Sequence, residues 1–385
     1  MKVFVVLFII LFLIACGEKT PLPDVIVSPD VFGANDTSYV HITPDWNASY
    51  MGYSNSNMEP ADIAIGEDGY LFVADKKNNR VVALSQAGQV LAYQNLDKIA
   101  PVESPVGLDI DSRLTLLIVN GTNTIYAWNQ YVNNIGVTSI ITGVDNSGNY
   151  TFSSDQALID SVKGIYPIYT DADPDARFQD ITFGPEADNT VFVTDNGTNR
   201  ILRLNLTIES GVKLNNNRLH PLFSCRYDTV VAGFGSGAGT VDDPRGITCD
   251  DSGNLYFTQL GGNFLVQKLL DQDGYYTSAF VLYEDPIMDL NRFKGPLDIA
   301  LGHDNAIFVI DAADSGRISK FYNKGPKAGQ LVDLGKQGLT DARFNDPMSI
   351  VISDEEIVYI ANTQDHKIER YQYTISEGDI PKEPQ

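Results

Sequence analysis

The chain has 385 residues, 43% of them hydrophobic, which is enough apolar material for a large buried core and excludes intrinsic disorder. Fifty Asp and Glu against 27 Lys and Arg leave a net charge of −23, a field that repels phosphate backbones and argues against nucleic acid as a partner. Charged residues reach only 20%, while Gly (32), Tyr (19) and Phe (18) are plentiful, and no long Ala/Leu/Glu/Lys stripe is present; the composition is that of a β protein.

Lys2 precedes twelve apolar residues, Val3 to Ile14. The run is too short to span a bilayer as a helix and has the length of the apolar part of a secretory signal over residues 1–15. It ends in Leu13-Ile14-Ala15-Cys16, which resembles the lipobox of bacterial lipoproteins. The resemblance implies Cys16 as the lipid-attachment residue and a cell-envelope location, and Gly17 after it implies the outer membrane if the host is Gram-negative. Residues 16–37, with Pro21, Pro23, Pro29 and Gly33, read as a tether.

From residue 38 to 373 the chain is expected to be one globular body, with 374–385 a polar tail. Six segments share one pattern. A first strand opens near Ile63, Leu108, Ile181, Ile247, Ile299 and Ile350, and a second closes on Asp75, Asn120, Asp195, Gln259, Asp311 and Asn362. Two residues before each closing position stand Val73, Ile118, Val193, Phe257, Val309 and Ile360, and between them, on the opposite face, Phe72, Leu117, Phe192, Tyr256, Phe308 and Tyr359 lie one residue further back. Antiparallel sheets that are apolar on both faces must be covered by neighbours on both sides, which the radial stacking of a propeller provides.

The segment Glu59-Pro60-Ala61-Asp62-Ile63-Ala64 through Leu71-Phe72-Val73-Ala74-Asp75 to Arg80-Val81 resembles the NHL repeat, as do Phe192-Val193-Thr194-Asp195 with Asn199-Arg200 and Ala342-Arg343-Phe344-Asn345-Asp346-Pro347. The resemblance implies an all-β, six-bladed β-propeller over residues 58 to 373. The second and third repeats are longer than the roughly 40–45 residues of a four-stranded blade, and residues 132–176 could form a seventh blade. Tyr39 to Ile42 is expected to supply the outer strand of the last blade and close the ring.

The slot just before each first strand alternates Asp62, Gly107, Asp180, Gly246, Asp298, Ser349. With the first strand innermost, three aspartates converge on the central channel with pseudo-threefold symmetry. Two uses follow: a shared Ca²⁺, which favours carboxylate oxygens, or strand caps that bond the adjacent blade. The closing Asp with the Arg that follows it (Asp75 and Arg80, Asp195 and Arg200) reads as a structural clamp, with Asn362/Lys367 and Asp311/Arg317 as weaker forms. Asp171, Asp173 and Asp175 lack the Gly and Glu of an EF-hand and read as a solvated loop. The run Gly233, Gly235, Gly237, Gly239 lacks a following Gly-Lys-Ser/Thr and reads as a connector between blades.

Cys249 sits in an apolar register, and its pairing with Cys225 stays open. His41, His220, His303 and His366 do not recur in the repeat, so the histidine zinc set of the amidating lyases, which resemble this fold, is missing. No Gly-x-Ser-x-Gly elbow is present, and the Asn ligands of the gluconolactonase-like calcium cage find no counterpart. Sequons at Asn47, Asn120 and Asn196 fall on turn-forming residues. Tyr131, Tyr150, Tyr166 and Tyr169 in or beside the second-blade insertion offer aromatic area for ligand contact. The expected function is a lipid-anchored, monomeric binding scaffold for an envelope protein, peptide or glycan; the rival is a calcium-dependent lactonase or lyase acting through Asp62, Asp180 and Asp298.

Overall fold

The computed structural model describes residues 39–373 apart from 54–56, 92–101, 282–286, 303–305, 314–315, 324–330 and 334–343. The expected signal, Cys16, the tether, the C-terminal tail, His303 and the Ala342-Arg343 part of the last repeat lie outside the described residues. The described chain falls within one compact unit, Ser38–Tyr373.

The fold is an all-β propeller. Six sheets form, each opening on an inner strand: Pro60–Ile65, Gly107–Ile110, Phe178–Phe183, Pro244–Cys249, Pro296–Leu301 and Pro347–Ile352, numbered here as sheets 1 to 6. Each inner strand touches the next and the sixth touches the first, so the ring is closed around a channel. Five sheets have four strands or more, against the six complete blades expected; sheet 1 has three. After Leu84 the chain turns, and only the bridge of Leu84 to Val90 and the Leu91 N–H bond to Ala83 O (2.9 Å) begin a fourth strand before residues 92–101, which are not described.

Period-two alternation explains the packing. Val73 of sheet 1 enters a core with Tyr359 and Ile368 of sheet 6, while Phe72, one residue earlier, enters a core with Leu108, Leu116 and Ile118 of sheet 2. Phe257 of sheet 4 likewise faces Phe192 and Ile201 of sheet 3, and Tyr256 faces Ile299 and Val309 of sheet 5. Each fully buried aromatic or aliphatic side chain of this kind contributes roughly 1.5–3 kcal/mol of transfer free energy.

Sheet 6 is assembled from both chain ends: Tyr39–His41 pairs in antiparallel register with 371–373, and Trp46–Asn47 pairs with Ile368 and Lys367. Trp46 is wholly buried at this seam.

The long second and third repeats form no seventh blade. Asn129 caps helix α1 (Gln130–Ile135) by accepting the Val132 N–H at 3.2 Å, and Gly136 leaves it at φ 83°, a left-handed conformation that glycine adopts without strain. The strand Val137–Val144 then joins sheet 3 by pairing with the far end of its long strand Arg200–Leu214, and Tyr150–Ser153 pairs in turn with Val137–Val144 as the edge strand. Helix α2 (Gln156–Val162) follows, capped by Asp155, and Tyr166–Thr170 returns as the fourth strand of sheet 2. The two insertions therefore merge into one accessory lobe with its own core of Val132, Val137, Ile140, Ile159, Val212, Leu214 and Leu222.

Candidate functional site

Each inner strand begins at the upper end of the channel and ends at the lower. Asp62, Asp180 and Asp298 sit near the upper ends of sheets 1, 3 and 5 and line both a cavity of about 130 Å³ above them and one of about 330 Å³ below. They form a septum across the channel.

The hydrogen bonds show what holds them there. Each carboxylate accepts the N–H of its own next residue through Oδ1 (Ile63, Ile181 and Ile299, all at 2.8 Å). Its Oδ2 accepts an N–H from the next sheet: Leu108 to Asp62 at 2.5 Å, Ile247 to Asp180 at 2.8 Å and Ile350 to Asp298 at 2.8 Å. Ser349 in turn donates its hydroxyl to Asp62 Oδ1 at 2.6 Å, so sheet 6 is stitched to sheet 1. The bond to the adjacent blade is thus realised.

The alternation of carboxylate and small residue has a steric cause. A Cβ on Gly246 would come within 2.5 Å of Asp298 Oδ1 and 2.7 Å of its Cα, and one on Gly107 within 2.8 Å of Asp180 Cα. Neighbouring inner strands approach too closely at this level for two side chains of any size.

Burial and mutual repulsion push these carboxyls up. Burial is the larger cause for all three; the charge of Asp298 adds to the rise at Asp62, and Asp62 and Asp298 add to it at Asp180, while Asp298 itself stands at about 6. A fourth carboxylate, Asp109 on sheet 2, is pushed up to about 6 by burial, although it accepts the N–H groups of Ile110 (2.8 Å) and Phe183 (2.7 Å). The sequence reading missed Asp109; its signal is a charge where the other inner strands carry Ala64, Thr182, Thr248, Ala300 and Val351.

The expected Ca²⁺ site does not fit. Among the described residues no three His, Cys, Asp or Glu side chains are placed to share one metal ion, because the septum carboxylates turn toward backbone N–H groups on the channel wall instead of toward a common point within the 2.3–2.6 Å that calcium requires. The inner strands also contain no histidine.

The closing residues are structural. Asp75 accepts Arg80 Nη2 at 2.7 Å and the Glu59 N–H at 3.0 Å; Asp195 accepts Arg200 Nε at 2.9 Å and the Arg177 N–H at 2.7 Å. The Asp311 and Arg317 pair is longer, at 3.6 Å. Lys367 departs from the expected clamp: it pairs with Asp45 and Glu369, and Asn362 donates to Glu369 at 2.9 Å. Asp171 is no solvated residue either, since it is buried against Arg200 Nη2 (3.2 Å) and the Tyr169 hydroxyl (2.9 Å).

The predicted tyrosines part company. Tyr166 and Tyr169 lie on the fourth strand of sheet 2 and pack against the core between sheets 2 and 3, with Tyr169 stacked on Phe178; burial raises the Tyr166 hydroxyl to about 12. Tyr131 on α1 is 45% exposed beside the His220 ring, and Tyr150 and Phe152 are exposed on the lobe's outer strand. The lobe stands at the lower end of the channel, where Gln130 donates to Asp68 at 3.0 Å and the Arg113 guanidinium lies over the Phe223 ring. Beside it is a basin of about 340 Å³ rimmed by Glu67, Asp111, Glu186, Asp250 and Asp251. Cys225 and Cys249 are both free: the first is buried between sheets 2 and 3, and the second lines the lower channel in the register of Ile65 and Ile352. The glycine run leads into sheet 4 as a connector, with the Gly235 N–H donating to Val241 O and the Val241 N–H donating to Gly233 O, both at 3.0 Å.

No family model matches the chain. A "Probable peptidyl-alpha-hydroxyglycine alpha-amidating lyase" of Caenorhabditis elegans is 28% identical over 165 residues, 43% of this chain and 46% of that protein. Teneurin-4 of Homo sapiens is 25% identical over 213 residues, 49% of this chain and 8% of that protein. The chain thus spans less than half the length of either relative. The solved structure of a streptogramin B lyase matches with a TM-score of 0.51 at 18% identity, covering 87% of this chain and 98% of that one. At this identity the likeness shows the propeller fold, and activity is a separate question.

Proposed function

We propose that the chain is an NHL-type propeller lipoprotein of the bacterial envelope, anchored through Cys16, that binds a protein, peptide or glycan ligand through the accessory lobe. The observation that carries this reading is the merger of two insertions, more than fifty residues apart, into one lobe that presents Tyr131, Tyr150 and Phe152 to solvent. A propeller ring needs no such lobe for its own core. Rigid aromatic side chains supply contact area at low entropic cost. The net charge of −23 keeps copies of the chain apart and favours a monomer.

The test is site-specific photo-crosslinking in cells with the probe placed at Tyr150, at Tyr131 and, as a control, at Tyr275 on sheet 4. A discrete adduct from both lobe positions and none from the control supports the reading. Adducts from all three alike, or from none, overturn it. The anchor is checked separately: label from palmitate incorporated by the wild-type chain should vanish in Cys16→Ser.

The rival reading is a lactonase or lyase, supported by the names of the amidating-lyase relative and the streptogramin B lyase structure. It is weakened here by septum carboxylates already occupied with backbone N–H groups. Turnover of lactone or cyclic ester substrates that disappears in Asp180→Asn would favour it.

A further inference from the structure

The accessory lobe finishes in an open sheet edge. Tyr150–Ser153 is the terminal strand of sheet 3 and, among the described residues, pairs on one side only, with Val137–Val144. The turn before it fixes which backbone groups look outward. The Asp145 N–H donates to Asn149 O at 2.8 Å, so those two residues form a hydrogen-bonded pair. The next pair, Val144 with Tyr150, is then a non-hydrogen-bonded one, and Gly143 with Thr151 is bonded again. Tyr150 therefore turns its N–H and C=O to the free edge. Phe152, two residues on, does the same, because the extra residue of the register shift, Thr142, lies on the partner strand and leaves the period of Tyr150–Ser153 unbroken. The Tyr150 and Phe152 rings share one face, with Val144 beside Tyr150, and the three are 54%, 44% and 60% exposed.

Other outer strands are guarded by devices that natural sheets use against stray pairing. Tyr166–Thr170 of sheet 2 carries Pro167 and an irregular register, and Tyr275–Ser278 of sheet 4 follows Gly274, whose carbonyl accepts the Arg203 guanidinium of sheet 3 at 2.8 Å. Tyr150-Thr151-Phe152-Ser153 contains neither proline nor charge. Outward N–H and C=O groups at alternate residues, with a ring beside each, match an extended polypeptide: its backbone continues the ladder and every second side chain lies against a ring. A glycan has no backbone with that repeat. The sign of the partner follows from charge. Residues 137–162 hold Asp145, Asp155 and Asp160 and no Lys or Arg, within a chain of net charge −23, so a basic segment is favoured. The neighbouring Lys213 ammonium is engaged with the Phe152 ring, 5.9 Å from its centroid, and helps to hold that ring in place.

We propose that Tyr150–Ser153 binds an extended, basic peptide segment by strand addition, with Tyr150 and Phe152 seating its apolar side chains. This rests on the lobe reading above and narrows its ligand to a strand-forming peptide.

The experiment is fluorescence anisotropy with the full-length chain in nonionic detergent micelles and a labelled hexapeptide that alternates valine and lysine. Residues paired with Tyr150 and Phe152 in an antiparallel ladder share their face, so the valine N–H groups are the ones that meet the edge. A second hexapeptide is therefore N-methylated at its valines, a third has glutamate in place of lysine, and cellohexaose is the glycan control. The first peptide should bind 1:1, the N-methylated and glutamate peptides at least tenfold more weakly, and cellohexaose should not displace it. Phe152→Ala should weaken binding a few-fold. Phe152→Pro, which also removes an N–H from the free edge, should weaken it at least tenfold; melting of both variants checks that they fold, and the N-methylated peptide tests the edge on the unaltered chain. The proposal is overturned if the first peptide does not bind, if the N-methylated one binds as tightly, if the proline and alanine variants behave alike, or if light scattering shows a dimer that Phe152→Pro dissociates, which would assign the edge to a second copy of the chain. The lobe reading is told apart by crosslinking in cells from Tyr131: an adduct that is the same in Phe152→Pro as in Phe152→Ala keeps the lobe as a binding surface and ends strand addition, whereas no adduct in the wild type ends the lobe reading itself.

Discussion

At one level of the channel wall the odd sheets carry Asp62, Asp180 and Asp298, and the even sheets carry Gly107, Gly246 and Ser349. The two sets perform complementary parts of one joint. The even sheet gives up its side chain so that the odd sheet's carboxylate can enter beside it, and the carboxylate then fastens the next inner strand through its backbone. Sheet 6 shows the intermediate solution: Ser349 is small enough to fit and still donates to Asp62. A ring of separate sheets has no continuous hydrogen-bond ladder between blades, and these carboxylates substitute for one.

The comparison can be broken most severely on the even side. Gly246→Val places atoms inside contact distance of Asp298 and of the Leu297 carbonyl; we expect loss of at least about 3 kcal/mol, read as failure to fold or as a collapse of the melting temperature. On the odd side, Asp62→Ala strands the Leu108 N–H and the Ser349 hydroxyl and leaves the Ile63 N–H only its 3.2 Å bond to Ser349 Oγ, and chemical denaturation should show a loss of about 2–4 kcal/mol. Asp62→Asn, which keeps an acceptor and removes a charge, should cost much less than the alanine variant.

A finer test uses pH. The Asp298 and Asp109 carboxyls stand at about 6 in the folded chain, above the roughly 3.9 of an unfolded Asp. The folded state therefore binds more protons between those values, so this stabilisation is full below the unfolded pKa and fades as pH rises through 6. The melting temperature should be higher at pH 5 than at pH 7.5, and Asp298→Asn should flatten the slope. The smallest effect is expected at Tyr131→Ser: the side chain is half exposed on α1, and stability should change by less than about 0.5 kcal/mol while lobe crosslinking falls.

How much of this could be read beforehand follows from range. Phe72 and Val73 alternate within a single strand, so burial on both faces, and hence radial stacking, was legible from neighbouring letters. The Asp and Gly alternation was visible too, as was the closure by Tyr39 to Ile42. What the aspartates do with it was not, because the choice between a cation and a backbone staple depends on the spacing of strands that lie 46 to 67 residues apart in sequence. The lobe escaped for a different reason. α1 and α2 have six and seven residues, too short for a helical period to stand out, and their caps, Asn129 and Asp155, are residues that turns use equally. Asp62, Asp180 and Asp298 share one slot in the repeat and line the same stretch of channel, whereas the half-buried carboxylate of Asp109 falls two positions beyond that slot.

The seam in sheet 6 has a consequence for biogenesis. Among the described residues Tyr39–His41 is the earliest strand to be synthesised, and its partner strand, Lys367–Tyr373, is the latest. Until Lys367–Tyr373 has been made, the early strand carries an unsatisfied edge, and Trp46 has no seam to bury itself in. Ring closure must span more than three hundred residues of chain, a step whose entropic cost grows only slowly with that length. Ring completion therefore waits for the late strand, and a chain that stops a few residues short of Lys367 is left with an open ring whose early strand has no partner.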